Sequence, residues 1–141
     1  MTKEELTKKA IEYLSHAYAP YSGFHVAAAL LTKSGKVYLG CNIENSSYGA
    51  TNCAERTAFF KAVSEEEREF EAIAIVGGHG KGEAALLDYA YPCGICRQVM
   101  REFCRPEEFK VILYKNTGGY LVRTLEELMP CSFGPENLLG D

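Results

Sequence analysis

Three features of the sequence predict an α/β fold with helices layered on one mixed five-stranded sheet. Five short runs rich in Val, Ile, Leu, Ala and Tyr read as strands. Segments with apolar residues at helical spacing alternate with them. Gly, Pro, Asn and Ser gather in the stretches between.

Leu6, Ala10, Tyr13, Leu14 and Ala17 recur at helical spacing, so residues 3–18 read as an amphipathic helix stopped by Pro20. HVAAALLT (25–32), KSGK (33–36) and VYLGC (37–41) read as a hairpin whose first strand is buried on both faces. NIENSSYG (42–49) is polar loop. CAERTAFFKAV (53–63) is a helix with Ala54, Ala58 and Ala62 on one stripe and Thr51 or Asn52 as its cap. FEAIAIVGG (70–78) is a buried strand, and HGKGEAALLDYA (79–90) is irregular.

CGICRQVMREFC (93–104) is a helix introduced by Pro92. FKVILYK and YLVRT are strands separated by NTGG, and TLEELMP (124–130) is a short helix capped by Thr124 and stopped by Pro130. The tail from Cys131 onward is broken by Gly and Pro, and is expected to lie on the surface or on a neighbouring subunit. No repeat, linker or low-complexity segment interrupts the chain, so residues 1–141 are expected to form one domain.

The charge balance narrows the partners. A net charge of −4 with no Lys/Arg run longer than Lys8-Lys9 is a poor match to a phosphate backbone, so nucleic acid is not expected. No segment approaches the ~20 apolar residues of a membrane span. MTKEELTKKA resembles neither a secretory signal nor a transit peptide, which makes the cytoplasm the expected location. Thiols stay reduced there, so the six cysteines need a role other than disulfides.

Cys93 and Cys96 form a C-x-x-C pair after Pro92, and Cys53 stands about forty residues upstream. A C-x-x-C pair alone fits either a metal site or a redox dithiol. Cys53 and Cys93, however, both fall at predicted helix starts, where free N–H groups favour thiolates. Three converging thiolates suit one zinc, and three protein ligands with an open fourth position mark a catalytic rather than a structural site. Glu55, two residues after Cys53, is then placed to exchange protons with water at the metal. Zinc with three thiolates carries a net charge of −1, so Arg56 and Arg97 are the candidates to offset it. A structural zinc module would need a fourth ligand, for which His79, His25 and His16 are available without regular spacing. Cys41, Cys104 and Cys131 read as small buried hydrophobes.

Cys53-Ala54-Glu55 together with Pro92-Cys93-x-x-Cys96 resembles the zinc nucleoside and nucleobase deaminases. Pro20-Tyr21-Ser22-Gly23-Phe24, Asn42-Ile43-Glu44-Asn45 and the tail from Met129 to Pro135 are similar to cytidine deaminases of the short, homotetrameric class. The resemblance implies a three-layer α/β/α sandwich and one zinc per subunit on Cys53, Cys93 and Cys96. It also implies hydrolytic deamination of cytidine and 2'-deoxycytidine at C4 by zinc-bound hydroxide, in pyrimidine salvage, with Glu55 as proton shuttle. Asn42 and Glu44 would bond the ribose hydroxyls, Phe24 would pack on the pyrimidine, and the Ala54 backbone would meet the base edge. Tyr48 and Phe133 would reach the site of a neighbouring subunit.

Overall fold

In a computed structural model, residues 1–140 are described. The strands β1 (His25–Thr32), β2 (Val37–Cys41), β3 (Phe70–Gly78), β4 (Lys110–Lys115) and β5 (Gly119–Thr124) form one sheet in the order β2-β1-β3-β4-β5. β3 and β4 pair in parallel, and every other neighbouring pair is antiparallel. The expected mixed sheet is therefore present, and each expected strand matches within a residue.

This topology decides where the helices begin. β2 and β3 both run antiparallel to the intervening β1, so they run parallel to each other and to β4. A connection between parallel strands must return across the sheet. α2 (Ala54–Ser64) makes that return between β2 and β3, and α3 (Gly94–Phe103) makes it between β3 and β4. Both helices therefore start at the sheet edge where β2 and β3 end. Two N-termini with free N–H groups meet there, at the end where open α/β sheets build their sites.

Alternation along the strands gives the sheet two buried faces. Ala28, Leu30, Ile73, Ile75, Val111 and Leu113 face α2 and α3 together with Phe59, Met100 and Phe109. Ala27, Ala29, Ala72, Ala74 and Val76 face α1 (Lys3–Tyr13) through Leu6, Ala10 and Leu14. The result is three layers. The alanine stripe of α2 brings that helix very close to β2, and Gly40 completes the approach. A Cβ on Gly40 would lie 2.3 Å from the Ala54 carbonyl oxygen and 2.5 Å from the Ala58 nitrogen, against the backbone of the first turns of α2.

Several expectations need correction. The first helix ends at Tyr13 and passes into a 3-10 turn, Leu14–His16, so it stops well before Pro20. Neither Thr51 nor Asn52 caps α2. Cys53 is the N-cap, the Thr51 hydroxyl accepts from Asn45 N–H, and the Asn52 amide donates to Thr57 Oγ1. Cys131 is exposed and has a positive φ of 55°, unlike the buried Cys41 and Cys104. The tail holds a short helix, α5 (Glu136–Leu139), absent from the sequence-based expectation. It is tied down where Arg101, buried on α3, donates to Ser132 Oγ and to the Glu136 carboxylate. The expected short helix is α4 (Leu125–Leu128), with a full capping box between Thr124 and Glu127.

Candidate active site

Cys53 caps α2 and Cys93 caps α3, and Cys96 lies one turn into α3. Their three Sγ atoms lie within 4.8 Å of one another, and Cys53 and Cys93 are 3.8 Å apart. A tetrahedral zinc with Zn–S bonds of ~2.3 Å needs sulfur–sulfur edges of about 3.8 Å. The cluster therefore fits the ion in both donor type and spacing. Among the described residues no fourth His, Cys, Asp or Glu joins the group. His79, one of the three histidines considered as a fourth ligand, packs instead against Phe24, with ring centroids 5.1 Å apart.

The surroundings favour charge on the sulfurs. The Cys96 N–H donates to Cys93 Sγ at 3.5 Å, and Arg56 donates to Cys53 Sγ at 3.2 Å. Hydrogen bonding from Cys96, then from Arg56 and Cys93, holds the Cys53 thiol down to about 5. Cys96 moves the other way, because it shares that bond with an ionised Cys53 and is buried. Mutual repulsion of this kind is what a divalent cation relieves.

Glu55, in the first turn of α2, is a buried carboxyl at 4% exposure. Burial chiefly, with the neighbouring Cys53 charge, pushes it up to about 7. That value suits a group that must both take and give a proton near neutrality. Glu55, Cys53 and Cys93 border a cavity of about 380 Å³ whose other walls are mostly apolar. A larger cavity of about 510 Å³, beside Arg105 and Glu136, has no comparable donor set.

Comparison with known proteins decides the family. Residues 1–113 match the family model for the cytidine and deoxycytidylate deaminase zinc-binding region. The chain belongs to this family. It is 49% identical to a cytidine deaminase of Halalkalibacterium halodurans over 138 residues, 98% of each chain. It is 46% identical to that of Sporosarcina psychrophila, over 98% of this chain and 96% of the relative. Among solved structures, the cytidine deaminase of Burkholderia pseudomallei superposes with a TM-score of 0.83 at 46% identity, over 94% of this chain and all of that one. That of Mycobacterium tuberculosis gives 0.78 at 36%, over 96% and 99%.

The other expected site residues of this deaminase sort into three groups. Phe24, Asn42 and Ala54 line the 380 Å³ cavity with Cys53, Cys93 and Glu55. The Asn42 side chain is already engaged, accepting from Val26 N–H at 2.9 Å and donating to the Phe24 carbonyl at 2.8 Å. It fixes the backbone on both sides of His25. Glu44 and Tyr48 border a second cavity of about 370 Å³, and Thr51 lines both. The Glu44 carboxylate accepts from the Ser22 hydroxyl and from the N–H groups of Tyr21 and Ser22. These bonds, the Ser22 hydroxyl first, hold it below the usual carboxylate range. Glu44 thus shapes the turn that delivers Phe24.

Arg97 and Phe133 stand apart from the pocket. Arg97 was expected beside a thiolate. Its guanidinium donates instead to the carbonyls of Pro92 and Leu128, at 2.8 and 2.6 Å. It ties the start of α3 to the end of α4 and leaves Arg56 as the arginine on a sulfur. Phe133 is 57% exposed, with its carbonyl held by Gln98.

The sequence pattern gave no reason to single out Tyr89, Ala90 and Tyr91, which form one wall of the cavity. They end the irregular 79–91 segment, which is pinned to the β4–β5 hairpin. The Asn116 amide donates to the Glu83 and Ala84 carbonyls, and its N–H to the Leu86 carbonyl at 2.8 Å. Tyr114 donates to the Glu83 carboxylate, and Lys115 lies 4.7 Å over the Tyr89 ring. The only sequence signal was the aromatic pair Tyr89 and Tyr91 just before Pro92-Cys93.

Proposed function

We propose that this protein hydrolyses cytidine and 2'-deoxycytidine to uridine and 2'-deoxyuridine, releasing ammonia, with one zinc per chain on Cys53, Cys93 and Cys96. The observation that carries the proposal is the buried Glu55 carboxyl beside a zinc-spaced trio of sulfurs, opening onto one cavity. When bound, zinc supplies a Lewis acid that lowers the pKa of water toward 7. The rest falls to the chain's own groups. The Glu55 carboxylate takes a proton from water and passes it to N3 of the cytosine, which makes C4 more electrophilic. The water oxygen bonds to C4, and the same carboxylate takes that oxygen's remaining proton and gives it to the amine, so the C4–N bond breaks and ammonia leaves as the C4 carbonyl forms. Its raised affinity for a proton serves both transfers.

The Ala54 backbone, at the free N-terminal end of α2, meets the base edge. Phe24 packs on the ring, and Asn42 and Glu44 take the sugar hydroxyls. Glu44 keeps accepting capacity for this, since a carboxylate has about four lone-pair sites and the Ser22 and Tyr21 groups use three. Arg56 offsets the thiolate charge from the protein side of the cluster.

The working form is a homotetramer with sites shared between subunits. Tyr48 at 79% exposure, Phe133 at 57%, and Leu138 and Leu139 are large apolar side chains left in solvent on one subunit, as a surface that docks on a second copy would be. Residues 1–141 act as one deaminase unit serving pyrimidine salvage in the cytoplasm. No helix among the described residues is long and apolar enough to cross a membrane.

Glu55→Gln tests the central assignment. Turnover of cytidine, followed by the loss of cytosine absorbance, should fall by roughly 10²–10⁴-fold with zinc content unchanged. A variant that keeps its zinc and its activity removes Glu55 from the reaction.

A further inference from the structure

β3 ends in Gly77-Gly78, and the backbone does not demand the first of these. Gly77 has no positive φ, so any L-residue fits its conformation. Glycine inside a strand weakens it, and commonly marks a place where something must come close. For Gly77 that something is specific. A Cβ there would lie 3.0 Å from Ala90 Cβ, 3.2 Å from Phe24 Cε2 and 3.2 Å from Val26 Cγ2. All three side chains line the cavity shared with Glu55 and the metal cluster, and Gly77 itself does not. Its neighbour faces the other way. A Cβ on Gly78 would strike the Ala85 carbonyl at 2.2 Å, beneath the 79–91 segment.

We infer that Gly77 is the positioning residue that sets the width of the substrate pocket in this deaminase. The space its missing side chain leaves is where Phe24, Val26 and Ala90 settle back from the ligand. Each of the three contacts is tight by a few tenths of an ångström, so a methyl group must displace at least one of those side chains. All three belong to the cavity wall, so whichever yields changes the shape of the cavity. Phe24 is the most consequential, since His79 packs against the same ring and limits where it can move. The inference rests on the proposed function, because it takes this cavity as the nucleoside site.

The test is Gly77→Ala in the zinc-loaded, full-length protein, with KM and kcat measured on cytidine. KM should rise about tenfold while kcat changes by less than about threefold, because binding space is lost and the proton-transferring group is untouched. In an Ala90→Gly background the same substitution should raise KM by less than about threefold, since the closest of the three contacts is gone. A merely structural role would lower kcat through loss of folded protein, leave KM alone and ignore the Ala90 background. KM within twofold of wild type, or an undiminished rise in the Ala90→Gly background, overturns the inference. An inactive wild type would overturn the proposed function as well, whereas an active wild type with unmoved KM overturns the role of Gly77 alone.

Discussion

Replacing Arg56 by Gln probes how the protein tolerates three negative sulfurs on one divalent ion. Arg56 donates to Cys53 Sγ at 3.2 Å, and its bond is one of the causes that lower the Cys53 thiol. The Arg56 Nε is buried without a hydrogen-bond partner among the described residues, and Cys96 adds to Cys53 in favouring the charged guanidinium. A hydrogen bond to a charged group contributes about 1.5–3 kcal/mol. Arg56 is only partly buried, so solvent screening places the effect at the lower end, about 1.5–2 kcal/mol. That predicts a loss of roughly 10- to 30-fold in zinc affinity. Gln keeps a donor but not the charge, so turnover at saturating zinc should also fall, by about 10–100-fold. Zinc affinity is measured by competition with a chromophoric chelator, and turnover on cytidine with zinc in excess. A variant whose zinc affinity and turnover both stay within twofold of wild type refutes the charge argument.

Three further outcomes are expected. The Glu44 carboxylate is held below its ordinary value of 4.5, so its support of the 20–24 turn is complete above that pH and disappears as the pH falls through its lowered value. Protection of the Tyr21 and Ser22 amides, read as exchange relative to an unstructured chain at the same pH, should therefore be lost in that acid window and kept at neutral pH; protection already absent at neutrality contradicts the clamp. In sedimentation, the protein should run at four times its 15.6 kDa chain mass, and Phe133→Ala should raise the KM for cytidine. A monomer with normal activity contradicts the shared-site arrangement.

The strands and the site helices are legible in the sequence for a shared physical reason. Apolar runs such as HVAAALLT and FEAIAIVGG, too short for a typical helix and bounded by turn residues, read as buried strands, and they match β1 and β3 residue for residue. Cys53, Glu55, Cys93 and Cys96 are legible because helix starts and thiolate chemistry favour the same positions. What escapes is set by contacts between distant segments. Arg97 looks identical to Arg56 in sequence, since each follows the zinc motif closely. Only the fold reveals that the Leu128 carbonyl lies within reach of one and Cys53 Sγ within reach of the other. The wall made by Tyr89, Ala90 and Tyr91 depends on Asn116 and Tyr114 gripping a segment with no periodicity of its own. The helix α5 is four residues long, too short for a repeating pattern, and exists where Arg101 holds Glu136. Cys131 departs from a buried cysteine because the chain turns through positive φ beside Pro130 and leaves the thiol outside.

Stripping the metal from the protein and titrating zinc back while following cytidine loss reports directly on three sulfurs acting as one catalytic ligand set. Activity should be absent at first, climb in proportion to added zinc, and level off at one ion per chain. Full turnover before any zinc is added, or a plateau well beyond one equivalent, would contradict a single three-thiolate zinc as the seat of the chemistry.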